Sequence, residues 1–322
     1  MGDWAERVVP SALITALAAA ADTEVDRALR HGAGAFKQKQ PTGEVGFVAA
    51  FVLGAVPEIA QVWRPILRPA GLSVKMTGVF VHQSPYVDFD DYAGVPRTCE
   101  LADLLVVADD LTASGSGRRM ATLVQAKIAD PGGGVALSDQ GDLNQLDLLS
   151  RWPPFKLPKR FPPGDRDFST CTHPGSKQDC GRYGLIDKQP NPDWFQQAPA
   201  NPLPAGGARL GTFIAHMLED GQVGYGREAT GLSDDWSRTV DELMRTTGGT
   251  AFSYVAGFQK QRPLRGHFAM AFVIDTALQR GHGIWFDAQP PSGGRPEQLD
   301  GRDAEGINLV HIAVVDEEKR RS

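Results

Sequence analysis

Two apolar runs restrict the fold more than anything else in this chain: ELADLLVVA over 100–108 and ATLVQAKI over 121–128. The first carries Leu104-Leu105-Val106-Val107, a continuous apolar block of the kind found in a strand covered on both faces. The second has the length and the β-branched character of a strand. Only DDLTASGSGRR (109–119) separates them, a short, polar, glycine-containing link, so the two runs predict an antiparallel hairpin at the centre of a sheet.

The remaining patterns predict an α/β protein, with a mixed sheet and helices on its faces. Residues 11–31 read as helix, with Ser11 as N-cap and Gly32 and Gly34 at the end. Phe47, Phe51, Ile59, Val62 and Ile66 give 42–67 a helical spacing, with Pro57 marking a break or a kink. Leu72–Gln83 alternates as a strand, and Leu143, Leu146 and Leu149 predict a helix over Gln140–Trp152. From Pro153 to Pro204 the chain is dense in Pro, Gly, Asp and Asn, which predicts an insertion holding one strand, Arg182–Ile186. Helices are expected at Leu210–Leu218 and Asp234–Arg245, the latter capped by Ser233. Strands are expected at Phe252–Ala256, Phe268–Asp275, Gly283–Phe286 and Ile307–Val315. The expected organisation is a helical segment (1–41), a core (42–152), the insertion (153–204) and a C-terminal α+β lobe (205–322) that either stands apart or completes the same domain.

Composition narrows the class. An apolar share of 41% suffices for a core, while 36 glycines and 23 prolines imply many turns. A formal charge of −6 means that a nucleic-acid partner would have to meet local basic patches. Three cysteines make no disulfide framework and suit a reducing compartment. The apolar run 12–21 is too short to span a bilayer and follows Asp3 and Glu6, so the expectation is a cytoplasmic protein without a membrane partner.

Chemistry concentrates on the second strand of the hairpin. Alternation puts Gln125 and Lys127 on one face and Ala126 on the other. A lysine in a strand of Leu, Val and Ile is costly unless it meets a counter-charge or a ligand. Asp103 supplies that charge if the register places it opposite. A carboxylate, an amide oxygen and a lysine at a sheet edge suit phosphodiester hydrolysis with Mg²⁺ (or Mn²⁺), with the lysine steadying the water or the developing charge.

The succession of a helix with a glutamate, a strand, a strand with an aspartate, a strand with QAK and a helix resembles the PD-(D/E)xK nuclease superfamily. The QAK form is similar to its Mrr-like branch. The resemblance covers residues 42–152 and implies a restriction-endonuclease-like core. It assigns the metal-binding acid to Asp103, the variable position to Gln125 and the catalytic lysine to Lys127. Glu44 becomes the accessory glutamate, and Gln145 the polar residue beside the phosphate. Glutamine at 125 brings one charge fewer, which Glu100 would restore if a bulge turned it inward. The implied activity is a metal-dependent endonuclease acting on DNA in bacterial defence or restriction, as a homodimer or a subunit of a defence complex. The alternatives are a non-catalytic nucleic-acid-binding or sensor module on the same fold, or an effector active only with a partner.

Plainer readings stand beside these. Asp103, Gln125 and Lys127 could form a structural ion pair, Glu44 serve a helix dipole, Glu100 be a strand-end charge and Gln145 an exposed helix residue. Arg151, Lys156, Lys159 and Arg160 flank Trp152 and Phe155, and Lys260, Arg262 and Arg265 lie near Phe258. Either cluster could grip a nucleic-acid backbone with an aromatic ring to stack on a base, or simply be solvated. Cys171, His173 and Cys180 offer three zinc ligands without a paired CxxC, His82 reads as a turn histidine, and Trp236 as a helix packing residue. The glycine clusters at 115–117 and 132–134 lack a following Lys-Ser/Thr and read as turns.

Overall fold

The computed structural model describes residues 9–317 except 33–40, 82–84, 113–116, 132, 174, 189–190, 222–223, 257–268, 276–283 and 288–305. Helix α1 (Ser11–His31) closes at Gly32, whose φ of 71° lets its N–H return to the Ala28 carbonyl. The next helix has three parts: α2 (Gly43–Ala49), a π turn (Ala50–Ala55) and α3 (Val56–Leu67). Pro57 has no N–H to offer Leu53, and its ring would crowd that carbonyl. The π turn just before it widens the helix, so the chain continues where a break or kink was expected. By length and composition Gly43–Ala70 could cross a membrane, yet 67% of its most apolar window is buried inside the fold.

Strands β1 (Leu72–Val81), β2 (Tyr86–Asp90), β3 (Pro96–Glu100), β4 (Leu104–Leu111) and β5 (Arg118–Ile128) precede helix α4 (Gln140–Arg151). Then come β6 (Phe155–Lys156), β7 (Asp165–Arg166), β8 (Gly181–Asp187), β9 (Asp193–Gln197), β10 (Ala208–Arg209), α5 (Leu210–His216) and β11 (Arg227–Glu228). Helix α6 (Asp235–Ala256) and strands β12 (Ala269–Asp275), β13 (Ile284–Asp287) and β14 (Asn308–Asp316) follow.

The main sheet runs β10-β9-β8-β5-β4-β14-β1-β12-β13, with β11 also paired to β5. It is mixed: β4 with β5 is the expected antiparallel hairpin, while β14 with β4 and β5 with β8 are parallel. A smaller sheet runs β3-β2-β6-β7. The protein is thus α/β, with helices on both faces of the main sheet. Alternation along β4 sorts its side chains. Leu104, Val106 and Ala108 pack under α1, α3 and α5, and Leu105 and Val107 pack under α4 and α6.

Four expectations change. The run 100–108 is two strands, because Glu100 ends β3 in the small sheet and the chain crosses at 101–103 before β4 begins. The stretch 153–204 holds four strands rather than one, two of them, β8 and β9, in the main sheet. The residues 252–256 continue α6 and form no strand. Helix α4 ends at Arg151, and Trp152 adopts a left-handed conformation, φ 45°, that lets its N–H reach the Leu148 carbonyl at 2.7 Å. A bulky residue in that region is strained. Burial of Trp152 against Phe168, ring centroids 4.9 Å apart, offsets the strain.

Helices α1 and α5 lie close together at Gly211, where an added Cβ would stand 2.3 Å from the Asp22 nitrogen and 2.5 Å from the Ala21 carbonyl carbon. Both neighbours are backbone, so neither can swing aside. Gly211→Ala is therefore expected to lower stability by about 1–3 kcal/mol, as overpacking does. Equilibrium denaturant unfolding measures it, and an unchanged midpoint would show that the two helices shift apart freely.

Candidate cation and phosphate site

The site lies where the first residues before β4 meet the last residues of β5, with α2 on one face and α4 on the other. The register sets Leu104 against Val124, and the Asp103 N–H bonds the Val124 carbonyl at 3.0 Å. Asp103 therefore stands beside Gln125, while the direct counter-charge that it was expected to give Lys127 comes from Asp142 instead. Its Oδ2 accepts from Gln125 Nε2 at 2.5 Å and from the Ala126 N–H at 2.7 Å. From β14, Asn308 pins the loop: its Nδ2 donates to the Asp103 carbonyl at 2.6 Å, while its Oδ1 accepts from the Val81 N–H at 2.8 Å.

Lys127 turns toward α4 and donates to Asp142 Oδ1 at 2.6 Å. Asp142 is carried there by the first turn of α4, whose N-cap Asp139 accepts the Asp142 N–H. Glu44, at the start of α2, reaches the other side of the strand end, and its Oε1 accepts the Ile128 N–H at 3.3 Å.

The electrostatics are those of crowded acids around one cation. Burial and then the Glu100 charge push the Asp103 carboxyl well above the usual carboxylate range, against the Ala126 N–H and Lys127. Burial also raises Glu44, with Lys127 opposing. For Lys127 burial works downward, but Asp142, Glu44 and Asp103 outweigh it and the ammonium is held charged. Glu100 faces this group from the end of β3 through its charge, without any bulge in a shared strand.

Three buried side-chain atoms near this group have no hydrogen-bond partner: Gln125 Oε1, Gln145 Oε1 and the Tyr183 hydroxyl. Gln145 follows Asp142 by one helical turn and is buried, against the expectation of an exposed residue. Tyr183 is the register partner of Gln125 across the parallel β5–β8 pair. Sequence reasoning missed Asp142, Tyr183 and Asn308. Of these only Asp142 left a signal, as an acid one turn before a residue already singled out.

The basic cluster is laid out differently from expectation. Trp152 and Phe155 are each 1% exposed, inside an aromatic group with Phe168 and Trp236, so neither ring can stack on a base. Arg151 is held by Asp147 through two bonds of 2.5 and 2.6 Å. Lys156 and Lys159 are exposed, Lys156 lying 3.8 Å from Asp165, and Arg160 sits 5.6 Å from the Phe161 ring centroid. His82, Lys260, Arg262, Arg265 and Phe258 lie outside the described residues.

Cys171 and Cys180 are free thiols, and His173 Nε2 is 2.7 Å from the Thr230 carbonyl. Among the described residues, no three His, Cys, Asp or Glu side chains are grouped to hold a metal ion directly.

A second buried carboxylate sits farther along β4. Arg119 grips Asp109 through Nε at 2.7 Å and Nη2 at 2.8 Å, and His311 Nε2 lies 2.9 Å away. Burial alone would raise this carboxyl, but those partners hold it down to about 2. The folded value lies below that of an unfolded Asp, about 3.9. The pair therefore stabilises the fold above roughly pH 4, by about 2 kcal/mol, and that contribution is lost as pH falls toward 2. Acid unfolding of wild type and Asp109→Asn should show it; parallel acid limbs in the two proteins would contradict it.

No protein-family model, curated protein or solved structure matches this chain.

Proposed function

We propose that the chain is a metal-dependent nuclease hydrolysing DNA phosphodiester bonds, with Asp103, Gln125, Lys127, Asp142 and Glu44 as its site. One observation carries this reading: a partly buried lysine and a buried amide at the end of β5 and a partly buried acid just before β4 converge where more acids gather than Lys127 can neutralise. Acids this crowded are costly to ionise together, and a bound cation would lower that cost.

The donor set fits such a cation. Gln125 Oε1 has no partner, and Glu44 and Glu100 add negative charge around Asp103. When bound, a divalent cation supplies a Lewis acid to a phosphate oxygen. Asp103 and Gln125, with Glu44 or Glu100, would hold it. Lys127 spends one of its three N–H bonds on Asp142, which fixes the ammonium and leaves two to steady charge on the phosphate. Gln145 lies on the helix that covers the same face. Arg151, at the end of α4, and Lys156, Lys159 and Arg160, just beyond it, would hold the nucleic-acid backbone by charge alone.

A second reading, a non-catalytic nucleic-acid-binding module, draws on the Gln125 amide, which already takes up an Asp103 oxygen. The two part in one assay: supercoiled plasmid and single-stranded RNA incubated with Mg²⁺ or Mn²⁺ and wild type, Lys127→Ala or Asp103→Ala. Metal-dependent cleavage that disappears in both variants supports the enzyme and identifies its substrate. A folded wild type that cuts neither substrate with either metal rules it out.

A further inference from the structure

Asp103 belongs to no strand. It ends the 101–103 crossing, one residue before β4 begins. An acid in such a place serves a site only if it is held from outside, because a side chain is no better placed than the main chain that carries it. Both main-chain groups of Asp103 are held. The N–H goes to the Val124 carbonyl of β5 at 3.0 Å, and the carbonyl accepts from Asn308 Nδ2 of β14 at 2.6 Å. One bond comes from each of the two strands that flank β4.

Asn308 is 6% exposed, and both ends of its amide have partners, since Oδ1 accepts the Val81 N–H at 2.8 Å. These two bonds fix which way round the amide sits: a carbonyl only accepts and an N–H only donates. The main-chain ladder of β14 with β1 ends at Leu309 and Val79, and its ladder with β4 begins at Asn308 and Leu104. Val81 and Asp103 both lie beyond those pairs. One side chain thus extends the sheet past its ladders and ties three segments together. A planar amide can do this, with a donor on one side and an acceptor on the other; a carboxylate has no donor to offer.

A residue that positions another must itself be positioned. From α6, the buried Thr247 hydroxyl accepts the Ile307 N–H at 3.0 Å and donates to the Ile307 carbonyl at 3.3 Å. Gly306 leaves room for this contact, because an added Cβ there would stand 2.8 Å from Thr247 Oγ1. The chain is thereby fastened to α6 just ahead of Asn308. On the other side, Asp103 Oδ2 receives Gln125 Nε2 and the Ala126 N–H. A continuous set of contacts runs from Thr247 through Ile307, Asn308 and Asp103 to Ala126.

We propose that Asn308 is a positioning residue of the candidate site: braced by Thr247, it sets the place of the Asp103 carboxylate through the Asp103 main chain. The part Asp103 plays in a reaction rests on the nuclease reading, but its positioning is measured without metal or substrate. In metal-free protein the Ala126 N–H reports on the carboxylate that accepts it. Asn308→Asp keeps an acceptor for Val81 and sets an oxygen against the Asp103 carbonyl in place of a donor. Amide hydrogen exchange at Ala126, taken relative to the amides at the centre of β5, should rise about 3- to 10-fold, the worth of one hydrogen bond. Gly211→Ala, which loosens the helices on the opposite face, should leave that ratio unaltered. Mn²⁺ should bind Asn308→Asp about 10- to 100-fold more weakly than wild type, with kcat lowered and KM for DNA unchanged. A merely structural asparagine would lower the unfolding midpoint and leave the exchange ratio and the Mn²⁺ affinity where Gly211→Ala leaves them.

Thr247→Val removes the Ile307 bonds and keeps Asn308. It should move both readouts the same way by a smaller factor, and it carries the test should Asn308→Asp fail to fold. An unaltered Ala126 ratio in the folded variants overturns the inference, as does wild-type Mn²⁺ affinity in Asn308→Asp. The nuclease reading fails separately: a wild type that neither binds Mn²⁺ nor cuts, while Ala126 responds, sinks that reading and leaves the positioning of Asp103 standing. Cleavage by wild type with an Ala126 ratio indifferent to Asn308 does the reverse.

Discussion

Replacing Lys127 with methionine should reduce cleavage by roughly 10²- to 10³-fold, the loss expected when one donor to a developing oxyanion is removed. The same change should destabilise the protein. The Lys127 and Asp142 side chains are 13% and 19% exposed, so each is largely withdrawn from water. Removing one partner of a fully buried pair costs about 3–5 kcal/mol; with this much solvent left, about 1–3 kcal/mol is the expected figure. Asp103 and Glu44 lose the field of the same ammonium. The double variant Lys127→Met/Asp142→Leu separates the two effects, because it removes both charges together. It should regain most of the stability in denaturant titrations and none of the cleavage. Recovery of cleavage in the double variant would mean that Lys127 serves the fold alone.

The opposite pairing of effects is expected at Asp103. The folded carboxyl is raised above its unfolded value by burial and by Glu100. A raised acid stabilises the fold only while protonated, at and below its unfolded value, and that contribution is lost as pH rises through the folded one. At neutral pH without divalent cations the wild type should therefore be weakened by its own site. Asp103→Asn has no charge to bury and keeps an oxygen for the Ala126 N–H. It should gain about 1 kcal/mol in metal-free buffer, the usual size of the gain when a functional strain is relieved. Cleavage should meanwhile fall by more than about a hundredfold. Thermal melts from pH 5 to 8, with and without Mn²⁺, provide the check. The wild-type curve should fall with pH and recover with metal, and the variant should be flat. A variant less stable than wild type throughout would show that Asp103 is there to hold the hairpin.

The central hairpin was legible because everything that specifies it is local: two strand-length apolar runs, a short polar link and a polar pair at alternate positions. Helix α4 was legible for the same reason, through Leu143, Leu146 and Leu149. The break between β3 and β4 was not, because ELADLLVVA has no glycine or proline where the chain leaves one sheet for the other. The stretch 153–204 hid its strands under turn residues, since two-residue strands such as β6 and β7 leave no period to read. At the site, Asp103 beside Gln125 followed from register alone. The Asp142 pairing and the Tyr183 phenol did not, because both depend on how the β5–α4–β8 crossover folds back over the sheet. The stacking role expected of Trp152 and Phe155 failed because aromatic rings beside lysines in a sequence say nothing about which way they face.

The position of β14 has a consequence for how the protein is made. Eight of its residues run against β4 and eight against β1, so within the sheet the strands β1 and β4 are bridged by a segment near residue 312. A ribosome adding roughly 5–20 residues per second needs about 10–40 s to travel the ~200 residues from β4 to β14. Throughout that interval β1 and β4 present raw, apolar edges with nothing between them, a template for any other extended chain. Asn308, the first residue of the late strand, is also the one that clasps the Asp103 carbonyl. The nascent chain therefore cannot complete its acidic centre early: the clasp on Asp103 forms only when β14 slots home, and premature release leaves a sticky, incomplete polypeptide.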